Sequence, residues 1–258
     1  MCHVAKVNKW RSFAPCCGQR VKKVHLCIMQ TTKSQAKATG HSSVSSRPLI
    51  LGLTGGMAAG KSLVARMFAK LGAAVWEADA AAKTLYQIDA HLREAMILRW
   101  GAQVVRCDEH GKQVDVHRQA VADIVFADAQ ELAWLESRVH PAVGRAFALW
   151  LEEQAQIGEA RVVVREAAIL FESGSDASCD VTVTVEAPET LRIARAQHRA
   201  QAEGQPVPEE ADIRARMDRQ WTEAQRTARA DHVVRNTDGT AILPQVLDIW
   251  NRVVETRR

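Results

Sequence analysis

The chain has 258 residues, 47% of them hydrophobic and 25% charged, which suits one α/β domain able to bury a core and carry insertions or a small lid. Its net charge of +4 is unevenly spread: residues 1–47 hold nine of the 34 Lys and Arg and no acid, leaving 25 basic against 30 acidic residues, a net of −5, beyond them. The body therefore lacks a nucleic-acid footprint, and no apolar run approaches the ~20 residues that span a bilayer.

Residues 1–47 show no sustained helical or strand period. Thr31–Ser46 is rich in Ser, Thr, Lys and Ala, so 1–47 is expected to be a basic, disordered extension. Translation starting at Met29, a transit peptide and a nucleic-acid arm stay open as readings of it. Cys2, Cys16, Cys17 and Cys27 lie in this segment, with Cys107 and Cys179 beyond. None forms a C-x-x-C pair, so a zinc site is unsupported. Two distant body thiols suit a reducing cytosol, and the start lacks a signal-peptide pattern. A cytoplasmic location is expected.

Order begins at Pro48. Leu49–Thr54 reads as an apolar strand, followed by a glycine-rich turn and a helix with Leu63, Val64, Met67, Phe68 and Leu71 at helical spacing. Gly72 ends that helix. Ala73–Glu77 is a second strand, with Asp79 directly after it. Residues 80–160 read as mostly helical, with apolar faces at Leu92, Met96, Trp100, Leu132, Leu135 and Phe147. Within them, Asp108–Gly111 is a polar turn and His140-Pro141 a loop or helix end. Arg161–Arg165 and Asp180–Val185 are further strands. Leu191–Gln201 is an arginine-rich helix, broken at Gly204–Pro208, and Ile213–Ala230 is expected to resume as helix. His232–Arg235 is a fifth strand and Leu243–Val254 a closing helix. Alternating strands and helices predict a five-stranded parallel sheet with helices on both faces.

The strongest motif is Gly55-Gly56-Met57-Ala58-Ala59-Gly60-Lys61-Ser62, which fits G-x-x-x-x-G-K-[ST] throughout, between a strand and a helix. Gly55 and Gly60 permit torsions that a Cβ penalises. The loop N–H groups can then converge on phosphates at the positive end of the helix. Lys61 can reach the β- and γ-phosphates, and the Ser62 hydroxyl can ligate Mg²⁺. The motif predicts a P-loop NTPase fold that binds a nucleoside triphosphate with Mg²⁺, without saying what is done with them.

A GTPase would need N-K-x-D, but the chain's only Asn-Lys pair is Asn8-Lys9, upstream of the loop. A small-molecule kinase instead needs a carboxylate at the acceptor hydroxyl and cations over the phosphates. Asp79 sits beyond the second strand, at the edge where open α/β sheets bind ligands. There it can act as general base; the alternative is a helix N-cap. Arg192, Arg195 and Arg199 share one helical face and could clamp phosphates when a lid closes.

With these residues in view, the stretch from about Leu49 to Gly239 resembles the dephospho-CoA kinase family. The resemblance rests on several elements in order: Leu53-Thr54-Gly55-Gly56-Met57, Glu77-Ala78-Asp79, and Val125-Phe126 leading to His140-Pro141. It continues through Ile169-Leu170-Phe171-Glu172, Arg216 with Gln220, and Ala230-Asp231 with Asn236 and Gly239. The resemblance implies transfer of phosphate from ATP to the ribose 3′-hydroxyl of dephospho-CoA. It implies a domain over 48–258, with a helical acceptor region at about 80–160 and a lid at about 190–222. Asp79 would be catalytic with Lys61 and Arg195. Gly55 through Leu63, with Arg199, would hold ATP, while Arg118 and His140 would join Asp79 at the acceptor. Three departures stand out. Glu77 replaces an Asp, Ala58-Ala59 replaces Gly-Ser, and Leu63 stands where a second hydroxyl is common. Another P-loop kinase, acting on a nucleoside monophosphate or small metabolite, is the alternative activity. A regulatory nucleotide-binding module is the alternative class.

Overall fold

A computed structural model of the chain describes residues 47–255. The first half forms β1 (Leu49–Gly55), α1 (Lys61–Lys70), β2 (Ala74–Glu77), α2 (Ala78–Ile88), α3 (Ala90–Trp100), β3 (Val105–Cys107), β4 (Gln113–Val116), α4 (Arg118–Ala127) and α5 (Ala129–Ile157). The second half forms β5 (Val162–Glu166), β6 (Val181–Glu186), α6 (Glu189–Ala202), α7 (Glu210–Met217), α8 (Glu223–Arg229), β7 (His232–Arg235) and α9 (Ile242–Glu255).

The expected five-stranded sheet is present, in the order β2-β5-β1-β6-β7, with every neighbouring pair parallel. Its strands read as nearly unbroken apolar runs because both faces are covered. The two-residue side-chain period then splits each strand between two cores. Leu49, Leu51 and Leu53 of β1, with Val162 and Val164 of β5, pack against Val64 and Phe68 of α1 and Val246 and Ile249 of α9. Ile50 and Val163 point the other way, into a core with Trp76, Met96, Val125, Val139 and Phe147. Burial of each such side chain contributes about 1.5–3 kcal/mol.

Residues 80–160 are mostly helix, as expected, but β3 and β4 form an antiparallel hairpin among them, with Asp108–Gly111 as its turn. Asp108 accepts backbone N–H bonds from His110 and Lys112 there, so the polar turn closes strands rather than joining helices. His140-Pro141 is not a loop or helix end but lies inside the 29-residue α5. Pro141 removes one helical bond, yet it faces solvent, while Leu135, Val139, Ala142, Val143 and Phe147 are buried and hold the helix on both sides of it. Finally, 213–230 is two helices. The break falls where Thr222 starts α8 with a capping box to Gln225. That Thr-x-x-Gln pattern is a helix start legible in the sequence.

Of the expected extension 1–47, only Arg47 lies within the described residues; it forms an ion pair with Asp180 at 2.6 Å. Asp180 also accepts the Ile50 backbone N–H.

Candidate active site

All five parallel strands end at one edge of the sheet, and the P-loop rises from the central strand β1, where the chain leaves to either side. Two contacts explain the glycines. A Cβ on Gly55, at φ 147°, would meet the Val185 carbonyl at 2.5 Å; one on Gly60, at φ 105°, would meet Asn236 Nδ2 at 2.3 Å. Ala58 is the one non-glycine residue with positive φ among the described residues, at 58°. This is the position where the sequence departs from glycine.

Asn236, just past β7, stitches the loop to α6. Its Nδ2 donates to the Ala59 carbonyl at 2.8 Å, and its Oδ1 accepts from Arg195 Nη2 at 3.0 Å. Gln220 does the same from the other side, accepting from the Met57 N–H at 2.8 Å and donating to the Ala168 carbonyl at 3.1 Å. The loop is therefore held by the residues that close the sequence pattern.

Lys61 Nζ donates to the Gly55 and Gly56 carbonyls at 3.0 and 3.3 Å. Burial lowers its pKa, against the opposing pull of Glu166 and Asp79. The Ser62 hydroxyl donates to Glu166 Oε1 at 3.2 Å, and Glu166 Oε2 is buried with no hydrogen-bond partner. Burial raises the Glu166 pKa, opposed by Lys61 and Ser62 and reinforced by Glu77 and Asp79. Sequence reasoning missed Glu166. The signal was its place at the C-terminal end of β5, beside β1, where a carboxylate can face the loop.

Arg195 and Arg199 stand over the loop as the sequence predicts. With Lys61, Ser62, Leu63 and Arg66 they line a cavity of about 260 Å³. Arg192 does not join them: it is buried, donates from Nε to the Ala187 carbonyl, and packs its guanidinium against Gly56. Buried Arg226, absent from the sequence argument, packs beside it against Gly56.

A second cavity, of about 120 Å³, lies beside β5. It brings together Asp79 and His140, as expected, with Arg165, Ile169 and Ser175. Asp79 occupies the first turn of α2, but the N-cap is Glu77, which makes no side-chain cap bond. Asp79 is solvent-exposed and forms no hydrogen bond among the described residues, so its carboxylate is free to meet a substrate. Arg118 is not part of this group. It lies at the start of α4, 4.0 Å from Asp115, lining a different pocket with Arg106 and His117.

An Mg²⁺ ion fits the donors present: a P-loop hydroxyl hydrogen-bonded to a buried carboxylate with one unpartnered oxygen. Among the described residues no cluster of three His, Cys, Asp or Glu could cage an ion alone. This suits a metal completed by nucleotide phosphates and water.

The dephospho-CoA kinase family model matches residues 49–241. A relative named dephospho-CoA kinase from Chlorobaculum tepidum is 39% identical over 193 residues, 75% of this chain and 88% of its own. One of the same name from Salinibacter ruber is 37% identical over 190 residues, 74% of this chain and 89% of its own. A crystal structure of a Thermus thermophilus protein superposes with a TM-score of 0.64 at 29% identity, covering 82% of this chain and 98% of that one. A structure named dephospho-CoA kinase from Campylobacter jejuni shares the fold, with a TM-score of 0.57 at 20% identity over 81% of this chain and 98% of its own. A match that runs from the first strand to beyond the last, with such identities across most of each relative, leaves one assignment: the chain belongs to the dephospho-CoA kinase family.

Proposed function

We propose that the protein transfers the γ-phosphoryl group of ATP to the ribose 3′-hydroxyl of dephospho-CoA, giving CoA and ADP. The observation that carries this reading is the juxtaposition of an unpartnered carboxylate, Asp79, with both a cavity and a complete phosphate loop. The bond from the γ-phosphorus to the β,γ-bridging oxygen breaks as the bond to the 3′-oxygen forms. The hydroxyl proton goes to the Asp79 carboxylate. Lys61 leaves the loop carbonyls for the γ-phosphate, and Arg195 and Arg199 neutralise charge as it spreads over the equatorial oxygens. Ser62 and Glu166 would hold Mg²⁺, which would supply positive charge against the phosphates of the nucleotide.

In this reading α2 to α5, about 80–160, form the acceptor region, and about 190–222 a lid that closes with Arg195 and Arg199. The acceptor cavity opens between α2, α5 and the residues after β5, which supports that division. Among the described residues no helix is long and apolar enough to cross a membrane. We place the reaction in the cytoplasm.

The test is ADP release with dephospho-CoA, compared with nucleoside monophosphates as acceptors, and a product mass higher by one phosphoryl group. ADP release with a monophosphate but not with dephospho-CoA would overturn the acceptor. ATP binding without ADP release from any acceptor would overturn the kinase reading.

A further inference from the structure

Arg165 is the third side chain of the acceptor cavity beside Asp79 and His140, and it has no role in the phosphate chemistry above. It projects from the penultimate position of β5 and is 5% exposed. Its β1 neighbour in register is Gly52, which has no side chain to compete for space. Its guanidinium lies 4.5 Å from the Phe147 ring centroid and 5.8 Å from that of Trp76. Nη1 donates to Ser178 Oγ at 2.7 Å and Nη2 to Ser175 Oγ at 3.1 Å. Nε is buried without a partner, and no carboxylate pairs with the group among the described residues.

This is a costly arrangement for structure alone. A buried guanidinium has five N–H donors, and here two neutral hydroxyls take two of them. Burial pulls its pKa down, opposed by Cys179 and by no carboxylate. An arginine serving only to pack would be better replaced by an apolar side chain of similar volume. Arg165 lines a cavity whose other walls are largely Ala78, Ala82, Val139, Val143, Ala167 and Ile169.

We propose that this cavity receives the purine base of the acceptor and that Arg165 is a specificity-determining residue, donating from its uncommitted N–H groups to a purine ring nitrogen. The inference rests on the acceptor being dephospho-CoA. With the ribose 3′-hydroxyl at Asp79, either of the ribose's two large substituents could enter: the base on C1′ or the diphosphate on C5′. A diphosphate would lose its hydration against six apolar side chains. A planar base fits them and offers acceptor nitrogens in its plane. The two serines hold the guanidinium in place, and the rings support it from the side.

The experiment combines Arg165→Met, which keeps length and packing, with 1-deaza, 3-deaza and 7-deaza forms of dephospho-CoA, each replacing one ring nitrogen by C–H. Arg165→Met should raise KM for dephospho-CoA roughly 10- to 150-fold, the range for a hydrogen bond from a charged donor, with KM for ATP unchanged. One deaza analogue should reproduce that rise on the unaltered enzyme and show little further rise on the variant, because both remove the same bond. An unchanged acceptor KM in folded Arg165→Met overturns the proposal. So do additive effects with all three analogues, which point to the diphosphate instead. Should the variant not fold, equal KM values for all three analogues and the parent on the unaltered enzyme overturn it just as well. Absence of turnover with dephospho-CoA itself sinks the acceptor assignment first, and this inference with it.

Discussion

Replacing Asp79 by Asn keeps the size and one hydrogen-bonding oxygen but removes the charge and the basic site. If the carboxylate takes the 3′-hydroxyl proton, kcat should fall by roughly 10²–10⁴, an added barrier of about 2.7–5.5 kcal/mol. A loose transition state leans less on a base, which favours the lower end. The structure bounds the stability cost separately. Glu77 occupies the N-cap of α2 and Asp79 makes no cap bond, so no capping energy is lost. What remains is the attraction of an acid in the first turn to the helix dipole, about 0.3–1 kcal/mol and screened by salt. ATP affinity should hold, because Lys61 keeps Glu166, the larger of the two carboxylates that support its charge. The assay is ADP release at saturating ATP and dephospho-CoA, with a denaturant melt and calorimetric titration of Mg·ATP on the same sample. A kcat within about threefold of normal, with about 1 kcal/mol or more of lost stability, would refute the base and restore the cap. Lost Mg·ATP binding on an intact fold would move Asp79 into the metal shell instead.

Lys61→Ala should remove at least 10²–10³ in kcat, since it withdraws a charge aimed at the migrating phosphoryl group; near-normal ADP release from the folded variant would misplace the γ-phosphate. A chain starting at Ser46 should unfold cooperatively and keep its activity, because β1 begins at Leu49 and the Arg47–Asp180 pair is retained; a non-cooperative melt would make the removed residues structural. Ala58→Gly should stabilise the fold by roughly 0.5–1 kcal/mol. It relieves a left-handed alanine costing about 1–2 kcal/mol, against about 0.5–1 kcal/mol of extra chain entropy for Gly in the unfolded state; a lower melting temperature would show that the loop is not strained there.

What the sequence could determine alone was whatever depends on nearest neighbours and period. Gly55 to Ser62 between an apolar strand and a helix specifies a phosphate loop, because torsion, N–H direction and helix dipole are local properties. The nearly unbroken apolar runs of β1 and β5 likewise specify a parallel sheet covered on both faces. Asp79 was legible because strand ends mark the ligand edge of such a sheet.

The remainder was decided by packing between distant segments. His140 reads as a loop or helix end before Pro141, and only burial of Val139, Ala142 and Val143 carries α5 through the proline and places His140 in the cavity that Asp79 also lines. Glu166 and Arg165 are adjacent in one strand and look alike in a sequence as charges closing an apolar run. The pleat sends them to opposite faces. Glu166 meets Ser62 of the phosphate loop, while Arg165 meets Phe147 of α5 and the serines after β5. Which of the two meets the phosphate loop and which borders the cavity beside Asp79 is a property of the strand's neighbours in the sheet, and the linear chain does not contain it.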